Sequence, residues 1–210
     1  MKNKIFLSFI LVFAFLSGYS QVQLGFKFGV NRNINKQSTV LKTSPHNINF
    51  GYINTYHFGF TGEYNLNKKL GVSAELLYAV KGTHFNKTEF VKGFDHKLSY
   101  FNLPLLLNYR FFRLFSLQSG VELGYLYNSK DNVFSNSGTM DDVDSFNRFD
   151  FSGLIGLKLN MPANVFLSLR YVHGLSSVYD IYFVNEDGLP TGKTKILNRA
   201  YQLSIGYNFR

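Results

Sequence analysis

The chain has 210 residues, a formal net charge of +9 and an aromatic content of 18%, which comes from 23 Phe and 14 Tyr. It contains no cysteine, and this excludes disulfide scaffolds, thiol catalysis and Cys-based zinc or iron–sulfur sites. A hydrophobic content of 45% argues against an intrinsically disordered chain, and the length predicts a single folded domain.

The first twenty residues have the pattern of a secretory signal peptide. Two lysines near the start precede an apolar run from Ile5 to Leu16, and small residues stand just before Gln21. The apolar run has about 12 residues, whereas a membrane-spanning helix needs about 20. We therefore predict a signal peptide over residues 1–20 and one domain over residues 21–210.

The remaining chain alternates apolar and polar residues in eight segments. In the first segment, Val22, Leu24 and Phe26 alternate with Gln23 and Gly25. A period of two is typical of a β-strand with one apolar and one polar face. The eight predicted strands cover residues 22–30, 56–64, 70–80, 101–109, 115–127, 149–159, 165–171 and 201–209.

The connections between these strands alternate between short and long. Short connections at 66–69, 111–114 and 160–164 alternate with polar-rich long ones at 32–55, 82–97, 128–148 and 173–197. Bacterial outer-membrane barrels have short periplasmic turns and long extracellular loops, and their tilted strands need about 9 to 11 residues to cross the bilayer. The pattern predicts an all-β fold, an eight-stranded antiparallel transmembrane β-barrel with periplasmic termini and extracellular long loops.

Charged residues indicate which face of the strands points toward lipid. A soluble lipid-carrying barrel would show the same alternation, so the period alone leaves that class open. The apolar face carries no charge in the predicted registers, as hydrocarbon requires, whereas the polar face carries four basic and four acidic residues. Such a balance suits a narrow lumen in which each charge needs a partner, and a gated ion path is the alternative interpretation. The predicted lumen ion network consists of Lys27, Glu63, Glu75, Lys81, Glu122, Asp150, Lys158 and Arg170.

Aromatic residues collect on the apolar face near the long-loop end of every strand. A ring of aromatics at one height is typical of the girdle at a membrane interface. Pro104 lies inside the fourth strand and has no N–H to donate, so we expect a bulge or a local break in pairing there. The predicted aromatic girdle consists of Phe28, Tyr56, Tyr78, Phe101, Tyr125, Phe149, Tyr171 and Tyr201.

Three segments, at 100–111, 169–175 and 201–210, resemble the outer-membrane β-barrel domain family common in Bacteroidetes, often called PorT-like. The resemblance covers residues 21–210 and includes Pro104. It implies an outer-membrane barrel, and it implies an accessory role in protein secretion as one hypothesis, because the founding member is linked to secretion. Phe209 also resembles the terminal aromatic that the barrel assembly machinery reads, although Arg210 follows it here. No catalytic or binding residue comes with these motifs.

Enzymatic chemistry has little support in the sequence. His57, His84, His96 and His173 fall near the long-loop end, where some eight-stranded barrels that modify lipid A hold a Ser or His with a carboxylate, but no recognised nucleophile spacing is present. The acidic residues at 141–144 lack the ligand spacing of a calcium loop and fit solvated carboxylates better. We expect no catalytic residue, no metal and no cofactor.

The leading functional hypothesis is a non-enzymatic outer-membrane barrel with a structural or adhesive role, or an accessory of a secretion assembly. The alternatives are a lipid A-modifying enzyme and a soluble lipid-carrying barrel. The expected partners are outer-membrane lipid and lipopolysaccharide, the barrel assembly machinery during insertion, and secretion components. Nucleic acid is not expected, because the basic residues are dispersed and an export signal is present.

Overall fold

The computed structural model describes residues 22–39, 50–85, 94–131, 146–184 and 190–209. The predicted signal peptide and the acidic residues at 141–144 lie outside this part of the chain. The described residues form ten strands and one short 3-10 turn at Pro162–Asn164. The strands are β1 (Val22–Thr39), β2 (Phe50–Gly51), β3 (Ile53–Asn65), β4 (Leu70–Phe85), β5 (Phe94–Arg110), β6 (Phe115–Asp131), β7 (Phe149–Asn160), β8 (Val165–Gly174), β9 (Tyr179–Val184) and β10 (Pro190–Asn208).

Eight of these strands close into an antiparallel barrel, which confirms the predicted fold class. The order is β1-β3-β4-β5-β6-β7-β8-β10, and β10 pairs with β1 from Gly25–Asn208 to Thr39–Thr194. Closure leaves no free sheet edge in the barrel wall, so each strand finds backbone partners on both sides. The two further strands are short: β2 pairs with β4, and β9 pairs with the upper half of β10.

The strands are tilted relative to the barrel axis. Following the paired residues once around the wall from Leu24 leads through Ala74, Val121 and His173 back to β1 at Ile34, ten residues above the start. A stagger of this kind is required to close a sheet into a barrel. It also places side chains from strands far apart in sequence at the same height inside the lumen.

Several strands are longer than predicted. β1 continues to Thr39 and β10 begins at Pro190, so both run well into segments that the sequence pattern assigned to long loops. β5 and β6 gain residues in the same way at their long-loop ends. The prediction of the strand ends was wrong because it required apolar residues throughout one face, whereas polar residues such as Arg32, Lys36 and Arg199 interrupt the outward face of these extensions.

Pro104 interrupts hydrogen bonding on one side only. The β4–β5 ladder passes from the Ala74–Leu105 pair to the Leu77–Asn102 pair, and this gap lies opposite Pro104 with no change of register. Pairing with β6 continues through Pro104 and Glu122. The expected local break is therefore present on the β4 side, and the bulge lies instead between Ser99 and Tyr100 against β6.

The barrel is polar inside and apolar outside. Among the described residues, 26 buried side chains are polar or charged and 14 are hydrophobic, while outward residues such as Phe60, Leu103 and Ile205 are exposed. A soluble lipid-carrying barrel needs the opposite arrangement, with an apolar interior. The structure thus favours a wall that faces hydrocarbon.

Candidate functional site

The middle of the lumen is organised around Glu75. Its two carboxylate oxygens each accept a 2.7 Å hydrogen bond from the Arg170 guanidinium, and Lys27 Nζ lies 2.6 Å from Glu75 Oε2. Arg170 Nε also donates to Gln118 Oε1 at 2.9 Å, and Gln118 in turn donates to Asn108 Oδ1 at 2.8 Å. Bidentate pairing fixes the orientation of the guanidinium as well as its position. This layer carries two cations and one anion.

The upper layer has the opposite charge balance. Lys81 Nζ lies 2.9 Å from Glu122 and 2.8 Å from Asp150. Asn102 donates to Glu122 Oε1 at 2.9 Å, and Asn198 donates to Asp150 Oδ2 at 3.1 Å. One cation thus faces two anions, and the excess negative charge compensates the excess positive charge of the layer around Glu75.

The lowest layer pairs Lys158 with Glu63 at 2.7 Å, and Lys158 Nζ also lies 4.4 Å from the centre of the Phe166 ring. The structure therefore brings all eight predicted lumen residues into three adjoining ion clusters whose charges sum to zero. Buried Leu106, Leu154, Val172 and Ala200 pack together in the same interior. Ion pairs and apolar side chains together fill the cross-section, as expected for a barrel of eight strands.

A small inward residue opposite Arg170 makes room for its side chain. A Cβ atom added at Gly156 would lie 2.6 Å from Arg170 Cγ and 2.5 Å from the Leu169 carbonyl oxygen. We expect Gly156→Ala to lower the free energy of unfolding by about 1–3 kcal/mol, because overpacking must displace the guanidinium or the backbone. Urea unfolding in phospholipid vesicles measures this loss.

The matched control for that substitution lies on the same strand. A Cβ atom at Gly153 would meet only Leu175 Cδ1 at 4.0 Å, so Gly153→Ala should leave the urea midpoint nearly unchanged. If the two variants unfold at the same urea concentration, a methyl group beside Arg170 causes no overpacking.

His57 forms a serine–histidine–asparagine chain that the sequence pattern did not reveal. The Asn31 side chain donates through Nδ2 to the Val80 carbonyl at 3.2 Å, which leaves its Oδ1 to accept from His57 Nδ1 at 2.6 Å. His57 Nε2 then accepts from Ser204 Oγ at 2.7 Å. This is the tautomer and spacing of a hydrolase triad, but all three side chains are at most 2% exposed inside the wall. In this arrangement Ser204 Oγ is shielded from solvent by the surrounding wall.

The other predicted histidines make separate side-chain contacts, although His84 and His96 lie next to each other in the β4–β5 ladder on opposite faces of the wall. His84 pairs with Asp95 at 2.7 Å across β4 and β5, and His96 stacks on Phe146 with ring centres 5.0 Å apart. Tyr171 OH lies 3.3 Å from His173 Nδ1 on the outward side of the rim. The described residues contain no group of three His, Asp or Glu side chains placed to hold a metal ion.

The eight predicted girdle residues, here called the aromatic row, lie on the outer wall, and seven of them, all but Phe28, form three groups of aromatic contacts. Ring centres are 5.9 Å apart for Tyr78 and Phe101, 5.6 Å for Tyr125 and Phe149, and 5.1 Å for Tyr171 and Tyr201. Tyr78 and Tyr171 are half-buried, while Phe28, Tyr56, Phe101, Tyr125, Phe149 and Tyr201 are exposed.

Above this row the outward face changes from aromatic to charged. Arg32 lies next to Tyr201 in the β1–β10 ladder, and Lys36 and Arg199 follow at higher positions on the same face. Arg32 also lies over the Tyr52 ring, 4.8 Å from its centre. A switch from aromatic to cationic residues at one height is typical of a membrane boundary.

The long-loop end of the lumen is closed by an apolar cluster. Leu98, Tyr100, Leu126 and Val178 are buried together, and Phe146 and Tyr179 pack against them. A backbone hydrogen bond from Leu126 to Arg148 connects the segment at 146–148 to the wall, and one from Val178 to Ile196 connects the segment at 175–178. This cluster and the ion layers below it obstruct a continuous path along the axis.

The short-turn end forms an open, basic cavity of about 600 Å³, here called the short-turn mouth. Its lining comes from the three short turns together with the start of β1 and the end of β10. It contains four cations and no acidic residue. The lining residues are Gln23, Lys68, Lys69, Arg110, Phe111, Phe112, Arg113, Asn160, Met161, Asn164, Val165 and Asn208.

Comparison with known proteins gives a family. A family model described as "Outer membrane protein beta-barrel domain" matches residues 15–180. No curated protein matches the sequence. In the part of the chain that the structure describes, no helix combines the length and apolar character that crossing a membrane requires.

The chain is also similar to solved structures that include the outer membrane proteins Ail and OprG and a neisserial surface protein. Ail, the attachment invasion locus protein of Yersinia pestis, is 15% identical with a TM-score of 0.48 over 90% of this chain and 99% of its own. Neisserial surface protein A is 13% identical with a TM-score of 0.48, over 88% of this chain and 97% of its own. OprG from Pseudomonas aeruginosa is 14% identical with a TM-score of 0.48, over 90% of this chain and 97% of its own.

Proposed function

Because the chain belongs to the outer membrane protein beta-barrel domain family, we propose that it is a non-enzymatic barrel of the bacterial outer membrane that acts through its extracellular end. The observation that carries this proposal is the length of the wall. β1 has 18 residues and β10 has 19, whereas crossing the bilayer takes about 9 to 11. The surplus forms a paired sheet that rises above the aromatic row.

The filled interior supports an interaction function over transport. Salt bridges around Glu75 and Lys81 occupy the lumen, and the cluster around Val178 covers it at the top. In this proposal the ion network keeps the barrel closed and the aromatic girdle sets its height in the bilayer. Residues 1–20 direct export and are removed.

The charge above the girdle suits lipopolysaccharide and other anionic surface polymers. Arg32 and Lys36 on β1 lie on one outward face with Lys195 and Arg199 on the adjacent strand β10. Cations just above the interfacial aromatics are at the height of lipid phosphates, which they attract over a Debye length. The adhesive role that we propose uses the same exposed sheet.

The proposal predicts that attachment depends on this upper sheet. We expect bacteria that produce Arg32→Glu/Lys36→Glu/Lys195→Glu to attach to host-cell and abiotic surfaces several-fold less than bacteria that produce the unaltered protein, because charge reversal repels anionic polymers. The matched control is Lys68→Glu/Lys69→Glu/Arg113→Glu, which reverses three cations at the opposite end and should attach normally. Adherent cells are counted at equal surface levels of protein, and equal attachment of all three strains would contradict the adhesive function.

A narrower assignment, to the PorT-like barrels and to an accessory role in secretion, rests on the sequence resemblance at 100–111, 169–175 and 201–210. Cross-linking in native outer membranes separates it from solitary adhesion. A photoreactive residue at Lys195 should capture secretion components if the barrel is an accessory, and the same residue at Ile205, on the apolar outer wall, is the control. If neither position captures a secretion component, the accessory role in secretion is excluded and the adhesive role remains.

A further inference from the structure

We propose that the short-turn mouth binds the phosphate-bearing headgroup of an anionic glycerophospholipid from the adjacent leaflet. In outer-membrane barrels the short turns face the periplasm, so this is the periplasmic leaflet. The proposal concerns the end opposite to the adhesive sheet and does not depend on it.

The first observation is uncompensated positive charge. Lys68, Lys69 and Arg113 form no ion pair within the described residues, and none of the residues that line the cavity is acidic. Arg110 lies 3.7 Å from Glu63, but that carboxylate is already held by Lys158 at 2.7 Å. The lumen above is neutral as a whole, so the excess charge of this end is concentrated at the mouth.

The second observation is a concave shape with hydrogen-bonding groups. The cavity of about 600 Å³ can hold a group of headgroup size, and amide side chains of Gln23, Asn160 and Asn208 stand among the cations. Arg110 is held in place by bonds to the Asn65 side chain at 3.2 Å and to the Lys68 carbonyl at 3.4 Å. A positioned guanidinium beside exposed lysines is a common arrangement for phosphate recognition.

The third observation selects a lipid over a soluble anion. Apolar Phe111, Phe112, Met161 and Val165 line the same cavity, and Phe112 is 68% exposed. Tyr109, Phe115 and Tyr207 are exposed on the outer wall just beside these turns, which is the height where acyl chains meet headgroups. A ligand that is charged at one end and apolar at the other satisfies both parts of the lining.

The test compares two lipids on the full chain in detergent micelles, with native mass spectrometry of bound lipid. Phosphatidylglycerol should bind more tightly than phosphatidylcholine of the same acyl chains. Lys68→Gln/Lys69→Gln/Arg113→Gln should weaken the phosphatidylglycerol complex by about tenfold or more, because three cations near the phosphate are lost. Arg110 is left intact because it also bonds to the barrel wall.

The matched pair of single changes is Arg113→Gln and Lys97→Gln. Lys97 is a partly exposed lysine on the outward face of β5 at the other end of the barrel, so Lys97→Gln removes one cation there and should leave phosphatidylglycerol binding unchanged, whereas Arg113→Gln should weaken it. Equal weakening in both variants, or equal binding of the two lipids, would overturn the proposal. Displacement of phosphatidylglycerol by millimolar inorganic phosphate would also overturn it, since that result identifies a soluble-anion site. Heat-modifiable electrophoretic mobility checks folding, and if the triple variant does not fold, Arg113→Gln alone should still weaken binding measurably.

Discussion

Glu75→Gln is expected to lower the free energy of unfolding by about 3–5 kcal/mol, the cost typical of removing one partner from a buried ion pair. The amide keeps the size of the side chain but leaves Lys27 and Arg170 next to each other without their shared anion. Both cations are buried, at 0% and 2% exposure, so water cannot replace the lost carboxylate. The measurement is urea unfolding of the barrel in phospholipid vesicles, followed by electrophoretic mobility.

A second substitution separates the charge effect from the loss of hydrogen bonds. Lys27→Met/Glu75→Gln removes one cation and one anion, so the lumen network is again neutral while Arg170 retains Gln118 as an acceptor. We expect the double variant to recover at least half of the stability lost in Glu75→Gln. Two results would show that charge balance in the lumen does not determine stability. One is that the losses of unfolding free energy from Lys27→Met and Glu75→Gln simply add in the double variant. The other is that the Glu75→Gln variant unfolds at the urea midpoint of the unaltered protein.

The alternation of residues was sufficient to predict the barrel because lipid imposes a strict rule on one face of each strand. The outward residues between the two ends, from Phe28 on β1 to Ile205 on β10, carry no charge, and Ser119 on β6 is the exception to their apolar or aromatic character. Above Tyr201 on β10 the outward residues no longer face lipid, so the pattern disappears although the strand continues. The upper ends of β1 and β10 and the short strands β2 and β9 therefore could not be predicted.

Which lumen side chains pair with one another could not be predicted from the sequence either. Alternation places Glu75 and Arg170 on inward faces, but they are 95 residues apart and meet only because the stagger of the barrel brings β4 and β8 to the same height. The bonds from His57 to Asn31 and Ser204 depend on the same stagger, since Ser204 comes from the last strand. The one available signal was that all three are polar residues on inward positions.

Leu105→Arg is expected to impair membrane insertion, with a loss of about 2–4 kcal/mol in the free energy of folding into the bilayer. Leu105 is exposed on the outer wall of β5, midway between Tyr109 at the short-turn end and Phe101 in the girdle, so it lies near the middle of the hydrocarbon. A guanidinium at that depth cannot reach either interface without distorting the wall. Insertion is measured as the folded fraction in vesicles of defined thickness, by resistance to protease and by electrophoretic mobility.

Two controls on the same strand distinguish depth from shape. Leu105→Ala shortens the side chain without adding charge and should cost much less than Leu105→Arg, because no ion enters the hydrocarbon. Ser99→Arg places the same cation above Phe101, where the neighbouring outward residue is Lys97, and should insert normally. Normal insertion of the Leu105→Arg variant would show that Leu105 does not face lipid. Failure of the Ser99→Arg variant to insert would show that the membrane boundary lies above the aromatic row. The height of the girdle in the membrane thus follows from the difference in folded fraction between Leu105→Arg and Ser99→Arg, two substitutions six residues apart on one strand.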